Sequence, residues 1–224
     1  MANYKIVMRP IHITLFISFF LINVSVHAQV PLSKKQLEEF RTEALDYVID
    51  FQNFIKEIVQ IGNDNKNRAN RERLQDVDIE QSTLLFSDSA KIEISNVNGY
   101  IKPPITIRDY MKNRVATYYL RYEMTIIEFD MVSNTISDFK PIYNSKNEIE
   151  FYEGTFTYVQ HFCGIQHLPN IEKQNYVLCS DQDKMHYHDT SVKKGKIQIR
   201  RVLTSEGSEW ALLLGYISVS DTYP

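Results

Sequence analysis

Glycine and proline are scarce, with seven of each in 224 residues. Collagen-like repeats and low-complexity segments need one or both in bulk, so both are excluded. Cysteine is scarcer still, with Cys163 and Cys179 alone, and no C-x-x-C spacing is present. Neither sign of charge dominates. The 25 Lys and Arg face 28 Asp and Glu, and the formal net charge of -3 excludes an overall basic surface for nucleic acid. With so few, scattered glycines there is no Gly-rich phosphate loop. What is there is ordinary: 43% hydrophobic and 24% charged residues describe a globular chain and exclude an intrinsically disordered one. The length suits one domain, or at most two small ones.

The first 28 residues stand apart. Met1 to His12 carries Lys5 and Arg9 and no acid, and Ile13 to Val24 is nearly all apolar. Val26-His27-Ala28 then offers small residues at the two positions a signal peptidase reads. This is the pattern of a secretory signal peptide, with cleavage expected between Ala28 and Gln29. The apolar run of about 12 residues is short of the roughly 20 a spanning helix needs. An uncleaved membrane anchor is the alternative. Residues 29–224 are then expected as a single exported domain, periplasmic or extracellular, with no transmembrane segment. In such an oxidising compartment Cys163 and Cys179 can pair, although a core of this size does not need the bridge.

Ser33 followed by Gln36 has the form of a capping box, and Leu37, Phe40, Ala44, Leu45, Val48, Phe51, Ile55 and Ile58 keep helical spacing. Gly62 and Asn63 stop that helix. The polar stretch from Asp64 to Gln81 is a solvated helix or a loop. Lys91 to Ser95 alternates as a strand, Asn98-Gly99 and Pro103-Pro104 mark turns, and Thr106 to Val115 reads as a short helix. The remainder is strand-rich: Tyr118 to Met131, Ile149 to Cys163, Tyr176 to Cys179, Lys184 to His188, Ile197 to Leu203 and Trp210 to Val219. Thr204 to Ser208 joins the last two as a hairpin loop. Helices first and an antiparallel sheet after predict an α+β fold, with the helices on one sheet face.

Leu85-Phe86-Ser87-Asp88-Ser89-Ala90-Lys91-Ile92, the short helix at Thr106 to Arg114 and the closing hairpin at Gly195 to Val219 resemble the nuclear transport factor 2-like superfamily, the SnoaL-like or cystatin-like cone. The resemblance implies N-terminal helices packed on a strongly curved antiparallel β-sheet around a pocket, and homodimerisation through that sheet. Ile142 to Tyr152 and Cys163 to Asp189 are longer than a minimal member needs.

Three sets of residues carry chemistry. His161, Cys163, His186 and His188 place donors two apart on strands, a mix tetrahedral zinc accepts, while a disulfide with surface histidines explains the same residues. Tyr119, Glu128, Asp130, Tyr158 and His161 lie on strands that would line the cone, where burial shifts pKa values. None sits in a family catalytic motif, so no catalytic residue is assigned. Tyr119, Tyr158 and His161 are the ligand-binding candidates. Lys193, Lys194, Lys196, Arg200 and Arg201 form a basic cluster, read as a solubility device on a hairpin edge. The expectation is a non-catalytic exported module without a cofactor, holding a small apolar ligand in the cone or a protein partner through its sheet. An acid–base enzyme of the isomerase or dehydratase kind and a metal-binding surface protein are the alternatives.

Overall fold

The computed structural model describes residues 31–64, 68–95, 100–117, 122–130, 136–166, 186–205 and 207–223. At some of these, including 122–128, 164–166 and 186–188, the description covers the backbone alone. The predicted signal peptide, the turn at Asn98-Gly99, the strand at Tyr176 to Cys179, and Tyr119 and Cys179 lie outside the described residues.

The first element is α1, Lys34–Asp64. The Ser33 amide donates to Oε1 of Gln36 at 3.0 Å and the Gln36 amide to Oγ of Ser33 at 3.3 Å, so the capping box is made in both directions. Most of the predicted stripe is buried, with Ala44, Val48, Phe51, Ile55 and Ile58 fully enclosed and Leu37 and Phe40 partly so, whereas Leu45 is exposed. The polar stretch resolves as a helix, α2, Arg68–Thr83. It docks on α1 partly through Gln75, whose buried amide donates to the Ile58 carbonyl at 2.8 Å. Among the described residues no helix is long and apolar enough to cross a membrane.

Seven strands follow: β1 Lys91–Ser95, β2 Ile101–Thr106, β3 Tyr122–Asp130, β4 Lys140–Tyr143, β5 Ile149–Gln166, β6 His186–Thr204 and β7 Gly207–Tyr223. They form one sheet in the order β2-β1-β7-β6-β5-β3, with β4 pairing the start of β5. Between β2 and β3, α3 (Ile107–Tyr110) is capped by Thr106 and runs on as a π-helical turn, Met111–Val115. The architecture is α+β, as predicted, with the helices on one face of the sheet. Buried Phe51 packs edge-on against Phe86, ring centroids 5.0 Å apart.

Four expectations need correction. The sheet is mixed, because β1 runs parallel to β7 through the pair Ile92 and Ile217, and Phe86 bridges Leu214 in the same sense. Pro103-Pro104 is strand rather than turn. It lies on the edge strand β2, opposite the bulge between Ile92 and Ile94, where the missing N–H groups cost no ladder bonds. Lys184 to His188 and Ile197 to Leu203 are not separate strands, since β6 is continuous from His186 to Thr204. Finally, the basic cluster is not on an edge: β6 lies between β5 and β7. The strand β4 is an addition. Its turn into β5 is built by Asn144, whose Oδ1 accepts from the amides of Lys146 (2.9 Å) and Glu148 (3.0 Å), with Asn147 at φ 60.

Candidate functional site

Strand alternation on β5 puts Phe156, Tyr158, Gln160 and Phe162 on the helix-covered inner face, and all four are buried. The β6 register sets Gly195 opposite Phe156, Lys193 opposite Tyr158 and Ser191 opposite Gln160. These three are also on the inner face, and Lys193 and Ser191 are among the buried polar residues. Two polar groupings therefore sit on this inner face.

The first grouping centres on Tyr158. Its ring stacks on Phe156 at 5.9 Å and tilts against Phe129 at 5.8 Å. Its hydroxyl is buried and has no hydrogen-bond partner among the described residues. Burial, reinforced by nearby Tyr110, holds its pKa well above the ordinary value, so the phenol stays neutral. Tyr110, from α3, comes within 3.4–3.5 Å of the Gln160 amide.

The second grouping lies where β1 meets β7. Lys193 is only 4% exposed, and its ammonium donates to the backbone carbonyl of Glu93 at 3.2 Å. The Glu93 carboxylate does not pair with it. It accepts instead from the Val219 amide at 2.9 Å and from the Tyr216 hydroxyl. Burial lowers the Lys193 pKa from 10.5 to about 8, against the opposing pull of Asp189 and Glu93. Tyr216 is pushed up to about 12, by burial first and then by Glu93. Ser95 takes a hydrogen bond from Thr222 and lies 3.4 Å from the Ser191 hydroxyl.

Of the residues singled out in the sequence, Tyr158 is on the inner face and His161 is on the opposite one. His161 Nδ1 lies 3.1 Å from Oγ1 of Thr190, its cross-strand neighbour. Cys163 shares the His161 face. The register sets Cys163 opposite His188, and Ile165 opposite His186. Among the described residues no group of three His, Cys, Asp or Glu is placed to hold a metal. Glu128 stands opposite His161 and Asp130 opposite Val159, in register with outer-face positions of β5. Sequence reasoning missed Gln160, Ser191 and Lys193 as inner-face residues, and missed that Tyr110 on α3 meets Gln160. The signal was available in Ser191-x-Lys193-x-Gly195-x-Ile197-x-Ile199, a period-two run that becomes visible once β6 is read as one strand.

A groove of about 780 Å³ lies elsewhere, between the 83–90 segment, the start of α3 and the side of β6 and β7 that carries Arg200 and Leu213. Its Arg108 is already committed to a two-pronged pair with Glu80.

No protein-family model matches the chain, and no curated protein matches it. A solved structure from Novosphingobium aromaticivorans, described as a "putative aromatic ring hydroxylase", is similar over 85% of this chain and 90% of its own. The identity is 11% and the TM-score 0.36, a likeness too slight to bear on chemistry.

Proposed function

We propose that this is an exported, non-catalytic binding protein of the nuclear transport factor 2-like superfamily, holding a small and mostly apolar ligand against the inner face of its sheet. The supporting observation is the Tyr158 hydroxyl, buried among aromatic rings without a hydrogen-bond partner among the described residues. Buried hydroxyls are almost always hydrogen-bonded, and leaving one unmade costs about 1–3 kcal/mol. A ligand acceptor would offset that cost, and the neutral phenol is ready to donate. The proposal includes cleavage after Ala28, a Cys163–Cys179 bridge and self-association through the outer sheet face.

The test is Tyr158→Phe, compared with wild type by native mass spectrometry and thermal melting after purification from an exporting host. The variant is expected to melt at or above the wild-type temperature and to lose a small molecule that wild type retains. A markedly lower melting temperature with no retained molecule in either protein would overturn the reading, since the hydroxyl would then serve the fold. Denatured masses of the same samples check the cleavage site and the loss of two hydrogens expected for the bridge.

The second reading is an acid–base enzyme, and one observation favours it. Lys193 is a buried ionisable group with a pKa of about 8, within the range where a proton is exchanged at physiological pH.

A further inference from the structure

We infer that Lys193 is a reactive amine that captures small aldehydes or ketones of apolar body as a Schiff base at the seam between β1 and β7. This rests on the reading of the inner face as a ligand site, because the carbonyl compound meets Nζ there.

Four observations carry it. Lys193 is the one charged side chain among the buried polar residues described, the others being amides and serines. Buried charges are normally paired, yet among the described residues Lys193 has a single hydrogen bond, to a backbone carbonyl, and of the two carboxylates whose charge acts on it, Asp189 before Glu93, that of Glu93 is turned to Tyr216 and Val219. The seam itself is thin: β1 and β7 share one ladder pair, and beyond it side chains replace the ladder. A desolvated lysine releases its proton readily, which is how such amines become nucleophiles. The fall to about 8 agrees with that geometry.

The step balances without an oxidant or reductant. The neutral Nζ attacks the carbonyl carbon, a C–N bond forms, and the C=O π pair moves to oxygen, which takes the proton shed by nitrogen. The nitrogen lone pair then expels that oxygen as water, using one further proton, and leaves an iminium ion. The charges of Asp189 and Glu93, which now act on the ammonium, would act on the new cation in the same way. Tyr158 faces the same site from β5, as a neutral phenol. Tyr216 on β7 is engaged with Glu93.

The full chain is treated with limiting hexanal or benzaldehyde plus cyanoborohydride, and the modified lysines are mapped by peptide mass. Lys194 and Lys196, exposed on the opposite face of the same strand, are internal controls. The expected result is an adduct at Lys193 at least about tenfold faster than at Lys194 near neutral pH, following the larger neutral fraction of an amine whose pKa is lowered. That advantage should shrink as pH rises past about 8. Labelling of Lys194 and Lys196 ahead of Lys193 overturns the inference. If native spectra show either aldehyde held without a covalent bond, Lys193 is no capture group but the inner-face reading stands. If neither aldehyde is held or bonded, and Tyr158→Phe changes nothing, both fail. Because the mapping is done on wild type, it does not depend on a Lys193→Gln variant folding.

Discussion

In the unfolded chain Lys193 titrates at its ordinary 10.5, and in the fold at about 8. Between those values the unfolded state keeps a proton that the folded state has released. Stability therefore rises with pH through this window, and the whole penalty of burying the charge is present below about pH 8. The difference corresponds to roughly 3 kcal/mol. The raised phenols act in the opposite direction, because Tyr158 and Tyr216 keep their protons longer in the fold and withdraw stability only above about pH 10. The interval from about pH 7 to 9.5 thus lies on the lysine's side of these opposing effects. In urea unfolding, wild type is expected to gain about 2 kcal/mol across that interval from this residue. Lys193→Met should show a flat profile there. A wild-type profile as flat as the variant's would mean that the amine is solvated and its pKa ordinary. The slope is the diagnostic quantity, since the variant also leaves the Glu93 carbonyl without its donor.

At the scale of elements, the pairing of β5 with β6 depends on a missing side chain. A Cβ on Gly195 would lie 2.1 Å from Cζ of Phe156, its cross-strand partner, so the ring occupies the space a side chain would need. Phe156 is fully enclosed. Gly195→Ala is expected to destabilise by about 1–3 kcal/mol through overpacking, and Phe156→Leu in the same chain to recover part of the loss. Equal melting temperatures for wild type and Gly195→Ala would show that the ring can move. This pair also shows how far the elements were legible in the sequence. Helix α1 was readable because its capping box and stripe obey local rules. Strand β6 was split in two because Lys193, Lys194, Lys196 and Gly195 look like loop or edge chemistry. Their strand character comes from the neighbours on both sides, which no local pattern reports. The inner-face site was half visible for the same reason: Tyr158 stands in an obvious aromatic alternation, whereas Lys193 carries a charge that reads as solvent-facing.

For the molecule as a whole, the arrangement of strands sets where the sheet opens. Strands β6 and β7 form a long antiparallel hairpin closed by the tight turn at Thr204 and Gly207, and β5 pairs along β6 from Phe151 to Ile165. The β5–β6 pairing keeps one register, the β6–β7 pairing shifts register between Val192 and Lys193 and between Gly195 and Ile197, and together they bury Ile197, Ile199, Leu212 and Leu214. The β1–β2 pair joins the body through one parallel pair, the Phe86 bridge and the hydrogen bonds of Glu93, Lys193 and Ser95. Such a seam should open before the hairpin, because regions with fewer buried ladder bonds open at lower free energy. In native-state hydrogen exchange the amides of Ile92 to Ser95 are expected to exchange at least about tenfold faster than those of Ile197 to Arg200 and Leu212 to Leu214. Glu93→Gln, which weakens the clasp on the Val219 amide and the Tyr216 hydroxyl, should widen the difference. Exchange of both regions at one rate would make the sheet a single opening unit. An aldehyde would then reach Lys193 only through global unfolding, so its adduct rate would follow stability in urea. If the seam opens locally, the adduct rate would instead follow the exchange of β1.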